Sequence, residues 1–128
     1  MIRTEYDIYE VIRTVRRRPG MYIGDPSPEA LLIYLAGYRA AMQDSGITDV
    51  SSPVFHRFHS WIARRFGFFE STAGWSNMVL AVHLGFNPKE MSWEGYDANA
   101  TPEQLSEATY RCFELIDEFV SSLAGTEK

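Results

Sequence analysis

Arg16-Arg17-Arg18-Pro19-Gly20-Met21-Tyr22-Ile23-Gly24-Asp25 separates a short basic helix from a series of longer ones. Pro19 has no N–H to donate and drives Arg18 out of the α region, so a helix arriving from the N-terminus stops at Arg17. Gly20 and Gly24 permit positive φ on either side of Met21-Tyr22-Ile23, three residues with strand propensity. The expected local structure is a tight turn, a short extended segment at residues 21–23 and a second turn. Met21 and Tyr22 are expected to be buried against the following helix. Ser27 is a good N-cap for that helix, with Pro28 in its first position.

Upstream, Ile8, Val11, Ile12 and Val15 fall at i, i+3, i+4 and i+7, which predicts a helix over residues 6–17 with one apolar face. Asp7 and Glu10 near its start and Arg16, Arg17 and Arg18 near its end complement the helix dipole. The arginines therefore read first as a solvated helix end, and second as an anion-binding alternative.

Downstream, Leu31, Leu32, Leu35, Tyr38, Ala41 and Met42 predict a helix over residues 28–45, ended by Gly46. Gly37 lies mid-helix, where it costs ~1 kcal/mol relative to Ala, so close approach of another element is expected there. A polar connection leads to a third helix over residues 53–66, with Val54, Phe55, Phe58, Trp61, Ile62 and Phe66 inward. A fourth, over residues 73–84, takes Ser71 or Thr72 as its cap. Trp75, Met78, Val79 and Val82 form its main face, widened by Leu80 and Ala81, so it is expected to be the most buried helix. Residues 87–100 form the longest irregular stretch and carry Trp93 and Tyr96, which read as exposed. Thr101-Pro102-Glu103-Gln104 has capping-box spacing and starts a fifth helix running to about residue 123. Its stripe is Leu105, Ala108, Cys112, Leu115, Ile116, Phe119 and Leu123. The fold expected is all-α: one domain over residues 1–128, a bundle of about five helices with one short extended segment near 21–23.

Composition bounds the function. Hydrophobic residues make up 45% of the chain, enough for a packed core. Cys112 is the only cysteine, which excludes an internal disulfide and fits a cytoplasmic protein. No apolar run is long enough for a membrane span, so no membrane partner is expected. Net charge is −5 and unevenly spread. Residues 1–89 hold ten Lys/Arg against eight Asp/Glu, and residues 90–128 hold two against nine. Nucleic acid is therefore not the expected partner.

Chemical motifs are few. His56 and His59, three apart, and His83 form the best metal candidate, but HExxH spacing is absent and no metal or other cofactor is expected. No Walker, dinucleotide or Gly-x-Ser-x-Gly run is present. Cys112 sits in an apolar stripe and reads as core. Glu103 with Glu107 and Glu114 with Glu118 pair like charges at i, i+4 on a solvated helix face.

The Arg-Pro-Gly-Met-Tyr-Ile-Gly run, residues 18–24, resembles the start of the ATPase domain of the gyrase B and topoisomerase IV families. That resemblance covers roughly residues 11–25. The Glu base, the metal-binding Asn and the glycine-rich motifs that follow in those ATPases have no counterpart here, so nucleotide hydrolysis is not expected. A broader resemblance is to small bacterial proteins with an Arg-Pro-x-Met-Tyr-x-Gly run near the start and a final helix ending like Phe113-Glu114-Leu115-Ile116-Asp117-Glu118-Phe119. Those proteins are similar to ones encoded beside secreted toxins, which implies an immunity role.

The functional expectation is a non-enzymatic module that binds a protein, with a basic toxin domain as the implied partner. Its expected surface is Trp93, Glu94, Tyr96 and Asp97 in the loop with Glu103, Glu107, Glu114, Asp117 and Glu118 on the last helix, Trp93 being the anchor. The alternative is a nucleotide- or phosphate-binding protein using Arg16, Arg17 and Arg18 at the Arg-Pro-Gly turn.

Overall fold

Asp7 starts the first helix. Its backbone is extended (φ −120°, ψ 116°) and its carboxylate accepts the Tyr9 N–H at 2.9 Å, which satisfies one of the orphan donors of the first turn. In the computed structural model, which describes residues 2–69 and 73–123, this helix is α1, Ile8–Arg17. Ile8, Ile12 and Val15 are buried, as their spacing requires, and so is Tyr9. Tyr6, where the helix was expected to start, belongs instead to strand β1, Glu5–Tyr6. It pairs in parallel with β2, Thr48–Asp49, within the expected polar connection. Thr48 N–H donates to Thr4 O and Val50 N–H to Tyr6 O, each at 2.9 Å.

The Arg-Pro-Gly stretch departs from expectation. Residues 21–23 are not extended. They belong to a one-turn helix, α2, Pro19–Ile23. Pro19 ends α1 by breaking Arg18 (φ −145°, ψ 72°), and its fixed φ then serves as the first position of the new turn. Met21 N–H donates to Arg18 O at 3.0 Å. Helical winding turns the side chains outward. Met21 is 70% exposed and Tyr22 37%, so neither is buried as expected. Pro19 is the buried residue of the turn, and Ile23, partly buried, packs against the core. Gly24 reverses the chain at φ 70°, whereas Gly20 is helical and needs no positive φ.

Helix α3, Pro28–Asp44, has the expected start: Ser27 Oγ accepts the Ala30 N–H at 3.0 Å and Pro28 opens the helix. Leu31 and Leu35 are buried, with Leu32, Tyr38 and Met42 packed against the core. Ala41 is exposed, and Gly37 faces open space, so no element approaches it closely. Pro53 follows a cis peptide bond and does not start a helix. Val54 is extended, a 3₁₀ turn spans Phe55–Arg57, and α4 runs Phe58–Phe66, ended by Gly67 in the left-handed region.

Helix α5, Trp75–His83, buries six of its nine residues: Trp75, Ser76, Met78, Val79, Leu80 and Ala81. It packs against α3, α4 and α6, which is why apolar residues surround it instead of forming one stripe. Its described cap is Gly74, without a side-chain bond; Ser71 and Thr72 lie outside the described residues. Helix α6, Pro102–Leu123, is the longest. Its capping box closes as expected: Gln104 N–H donates to Thr101 Oγ1 at 3.1 Å, and Thr101 N–H to Gln104 Oε1 at 2.9 Å. Ala108, Cys112, Leu115, Ile116 and Phe119 are buried, joined by Thr109 and Phe113. Phe58 joins the helices at the centre, with ring centroids 5.3 Å from Trp75 and 5.4 Å from both Phe55 and Phe119. Such contacts add to the area term that holds an all-α bundle together.

Candidate functional site

A 22-residue helix buried along one stripe leaves the opposite stripe to solvent. On α6 that outer stripe carries Glu103, Glu107, Glu114 and Asp117, all exposed, with Glu118 half-buried at its edge. Two of the five carboxylates are already engaged. Asp117 Oδ2 accepts from Arg16 at 2.6 Å, and Glu118 Oε1 from Arg65 at 2.7 Å. These pairs link α6 to α1 and α4. Each is substantially solvated and contributes at most ~1 kcal/mol. Glu103, Glu107 and Glu114 remain as an acidic row. Tyr110, a residue the sequence reading passed over, falls within that row at i+3 from Glu107 and is 49% exposed. Its signal was present: an aromatic on the polar side of an otherwise clean amphipathic pattern.

The loop is built differently from expectation. Trp93 is not an exposed anchor. Its ring stacks on Phe68 at 5.7 Å and meets Tyr96 edge-on at 4.9 Å. Tyr96 in turn packs edge-on against Phe86 at 5.5 Å, and both Trp93 and Tyr96 are half-buried. The Tyr96 hydroxyl is buried, and burial followed by the Asp97 charge raises its pKa. These aromatics form a satellite cluster that holds the loop down. Glu94 and Asp97 are exposed, and Asp97 Oδ1 accepts the Asn99 N–H at 3.0 Å, which shapes the turn before α6.

At the basic end of α1, Arg16 pairs with Asp117 and lies over the Phe113 ring at 5.7 Å. Arg17 and Arg18 are exposed. The three arginines therefore do not converge on one point: Arg16 is drawn along α6, and two solvated cations are left at the helix end.

A second constellation was not foreseen. Asp49, at the end of β2, accepts through Oδ1 from the Ser51 N–H at 2.9 Å and from the Ser51 hydroxyl. Ser51 Oγ accepts the Ile8 N–H at 2.8 Å, which serves the first turn of α1. The Tyr9 hydroxyl donates to Pro53 O. Burial, with the charges of Asp7 and Asp49, pushes the Tyr9 pKa well up. Tyr6 is raised by burial and by Asp49, with Arg39 opposing. Arg39, on α3, is half-buried beside this group and lines two clefts. The larger, about 580 Å³, lies between α3 and β2 and includes Tyr6, Gln43, Ile47, Thr48 and Asp49. The smaller, about 240 Å³, is walled by Leu32, Leu35, Phe55, His56 and Trp75. The sequence did hold one clue. Leu31, Leu35 and Arg39 are successive i, i+4 positions, so a cation stands where the buried row would continue.

Cys112 is fully buried and burial pushes its thiol pKa strongly up, the opposite of what a reactive thiolate needs. Among the described residues no group of three or more His, Cys, Asp or Glu could hold a metal ion. No helix among them is long and apolar enough to cross a membrane. No protein-family model matches the chain, and no curated protein or solved structure matches it either.

Proposed function

We propose that the protein is a non-enzymatic, bacterial interaction module whose α6 outer face receives a basic protein partner. The observation that carries this reading is the exposed Tyr110 set in the row of Glu103, Glu107 and Glu114. Aromatic residues are enriched among interface anchors, and surrounding charges steer the encounter. The row is carried by a rigid helix whose other side is locked into the core. Asp117 and Glu118 contribute less, because Arg16 and Arg65 already offset their charge. Glu94 and Asp97 add negative field from the loop, and Trp93 and Tyr96 act as its supports. The resemblance of the N-terminal run to proteins encoded beside secreted toxins makes a toxin domain with a basic active surface the first partner to test, with the cytoplasm as the place of binding.

Charge that only confers solubility is the competing reading. The two are separated by association kinetics with a purified basic toxin domain, the neighbouring genes being the first place to look for one. Glu107→Lys with Glu114→Lys should slow association at least tenfold at low salt and flatten its salt dependence. Tyr110→Ala should act chiefly on dissociation, speeding it about tenfold or more. Unchanged rates for both variants would remove α6 as the partner surface.

A further inference from the structure

We propose that Arg39 anchors a ligand site for a small hydrophobic monocarboxylate, with the carboxylate at the guanidinium and the apolar body in the cleft walled by Leu32, Phe55 and Trp75. This site lies on the α3–β2 side of the molecule and does not depend on the α6 surface.

The first support is Arg39 itself. It is half-buried, and among the described residues no carboxylate lies within 4 Å of it; the ion pairs there are Arg16–Asp117 and Arg65–Glu118. A guanidinium has five N–H donors, no acceptor, and a fork that matches a carboxylate. Taking such a group partly out of water without an ionic partner is costly, and a bound anion relieves that cost. Its neighbour Asp49 stands beyond ion-pair distance, with Oδ1 accepting from Ser51, and the near side-chain partner of the guanidinium is the neutral Tyr6 hydroxyl.

The second support is the shape of the surroundings. Arg39 and Ala36, one turn apart on α3, line both clefts, so the cation stands at their junction. On one side the walls are Leu32, Leu35, Phe55 and Trp75, an aliphatic and aromatic surface continuous with the core. On the other side Gln43, Thr48 and Asp49 make a polar cleft. Pockets that combine apolar walls with a few placed polar groups are the usual form of small-molecule sites.

The third support sets the charge of the ligand. Asp49 lines the larger cleft with Arg39. One cation facing one carboxylate leaves the cleft with no net positive charge, so a dianion such as phosphate would keep two uncompensated charges there where a monoanion keeps one. Phosphate also has no apolar body for the Trp75 wall. Monocarboxylates with an aryl or branched alkyl group satisfy both sides. Free acids and the C-terminal residue of a peptide ending in an apolar side chain share this chemistry.

The test uses the full chain labelled with ¹⁵N. Phenylacetate stands for a free acid, and N-acetylphenylalanine for a peptide end. Phenylacetamide and inorganic phosphate are the controls. Titration up to about 50 mM covers the millimolar affinities of ligands this small. Phenylacetate or N-acetylphenylalanine should shift the Trp75 indole and Arg39 Nε signals saturably, and the tighter of the two identifies the source. Phenylacetamide should bind at least tenfold more weakly, and phosphate should leave the Trp75 indole unmoved. Arg39→Gln should remove the acid–amide difference while the rest of the spectrum is kept. Equal binding of acid and amide, absence of saturable shifts with both acids, or tighter binding of phosphate would each overturn the proposal. The acid–amide comparison on the unaltered protein decides it even if Arg39→Gln fails to fold.

Discussion

Residues 18–24 and residues 48–53 are both short connections between helices, and they invert expectation. Arg-Pro-Gly-Met-Tyr-Ile-Gly is the most conspicuous run of the sequence, yet its side chains Met21 and Tyr22 lie on the surface. Thr48-Asp49-Val50-Ser51-Ser52-Pro53 reads as a polar linker, yet four of its six residues bond to the N-terminal segment. Thr48 and Val50 bond to the N-terminal strand, Ser51 serves α1, and Pro53 O holds the Tyr9 hydroxyl. Residue order that looks specific thus marks a backbone event, the stop at Arg18 and the reversal at Gly24. Residue types that look bland mark a polar network, because a short side chain such as that of Ser51 bonds nearby backbone groups at close range.

Four substitutions put this contrast on an energy scale. Ser51→Ala should have the largest effect, about 2–3 kcal/mol in urea unfolding, because it strands the buried Ile8 N–H and removes the hydroxyl bond to Asp49. A loss below ~0.5 kcal/mol would make the 48–53 network ornamental. Gly24→Ala should cost about 1–2 kcal/mol, since φ 70° with ψ −133° suits glycine and strains alanine even with open space around the added carbon. Tyr9→Phe should cost about 1 kcal/mol by leaving Pro53 O without its donor. Met21→Ala should stay within ~0.5 kcal/mol, as for other exposed positions. A Met21→Ala loss equal to that of Ser51→Ala would erase the distinction between the two connections, whereas a costly Gly24→Ala beside a neutral Met21→Ala would confine the role of residues 18–24 to the backbone.

How far the sequence could be read depends on the range of the interactions involved. Ile8, Ile12 and Val15, the Ser27-Pro28 start and the Thr101–Gln104 box are local, and each was legible from spacing. The α2 turn was not, because Pro-Gly suits a β-turn and a helix start equally well, and a five-residue helix has no period to detect. Strands β1 and β2 have two residues each and are fixed by bonds that span more than forty positions. Trp93 and Tyr96 looked exposed because their loop is polar; their partners Phe68 and Phe86 lie upstream of the loop and reach it only through the fold. Of the surface proposed for binding, the acidic row on α6 was legible and Tyr110 was overlooked. The Arg39 clefts gather residues 6, 39, 49, 55 and 75, a set that no window of sequence contains.

The central functional claim is that binding belongs to the α6 face and not to the conspicuous Arg-Pro-Gly turn. A ¹H–¹⁵N map of the labelled protein with a basic toxin domain as partner tests it most directly. The account predicts the largest perturbations at Glu103, Glu107, Tyr110 and Glu114, with Arg17, Arg18, Met21 and Tyr22 unmoved. Perturbations centred on residues 17–22, with the outer face of α6 unchanged, would contradict it.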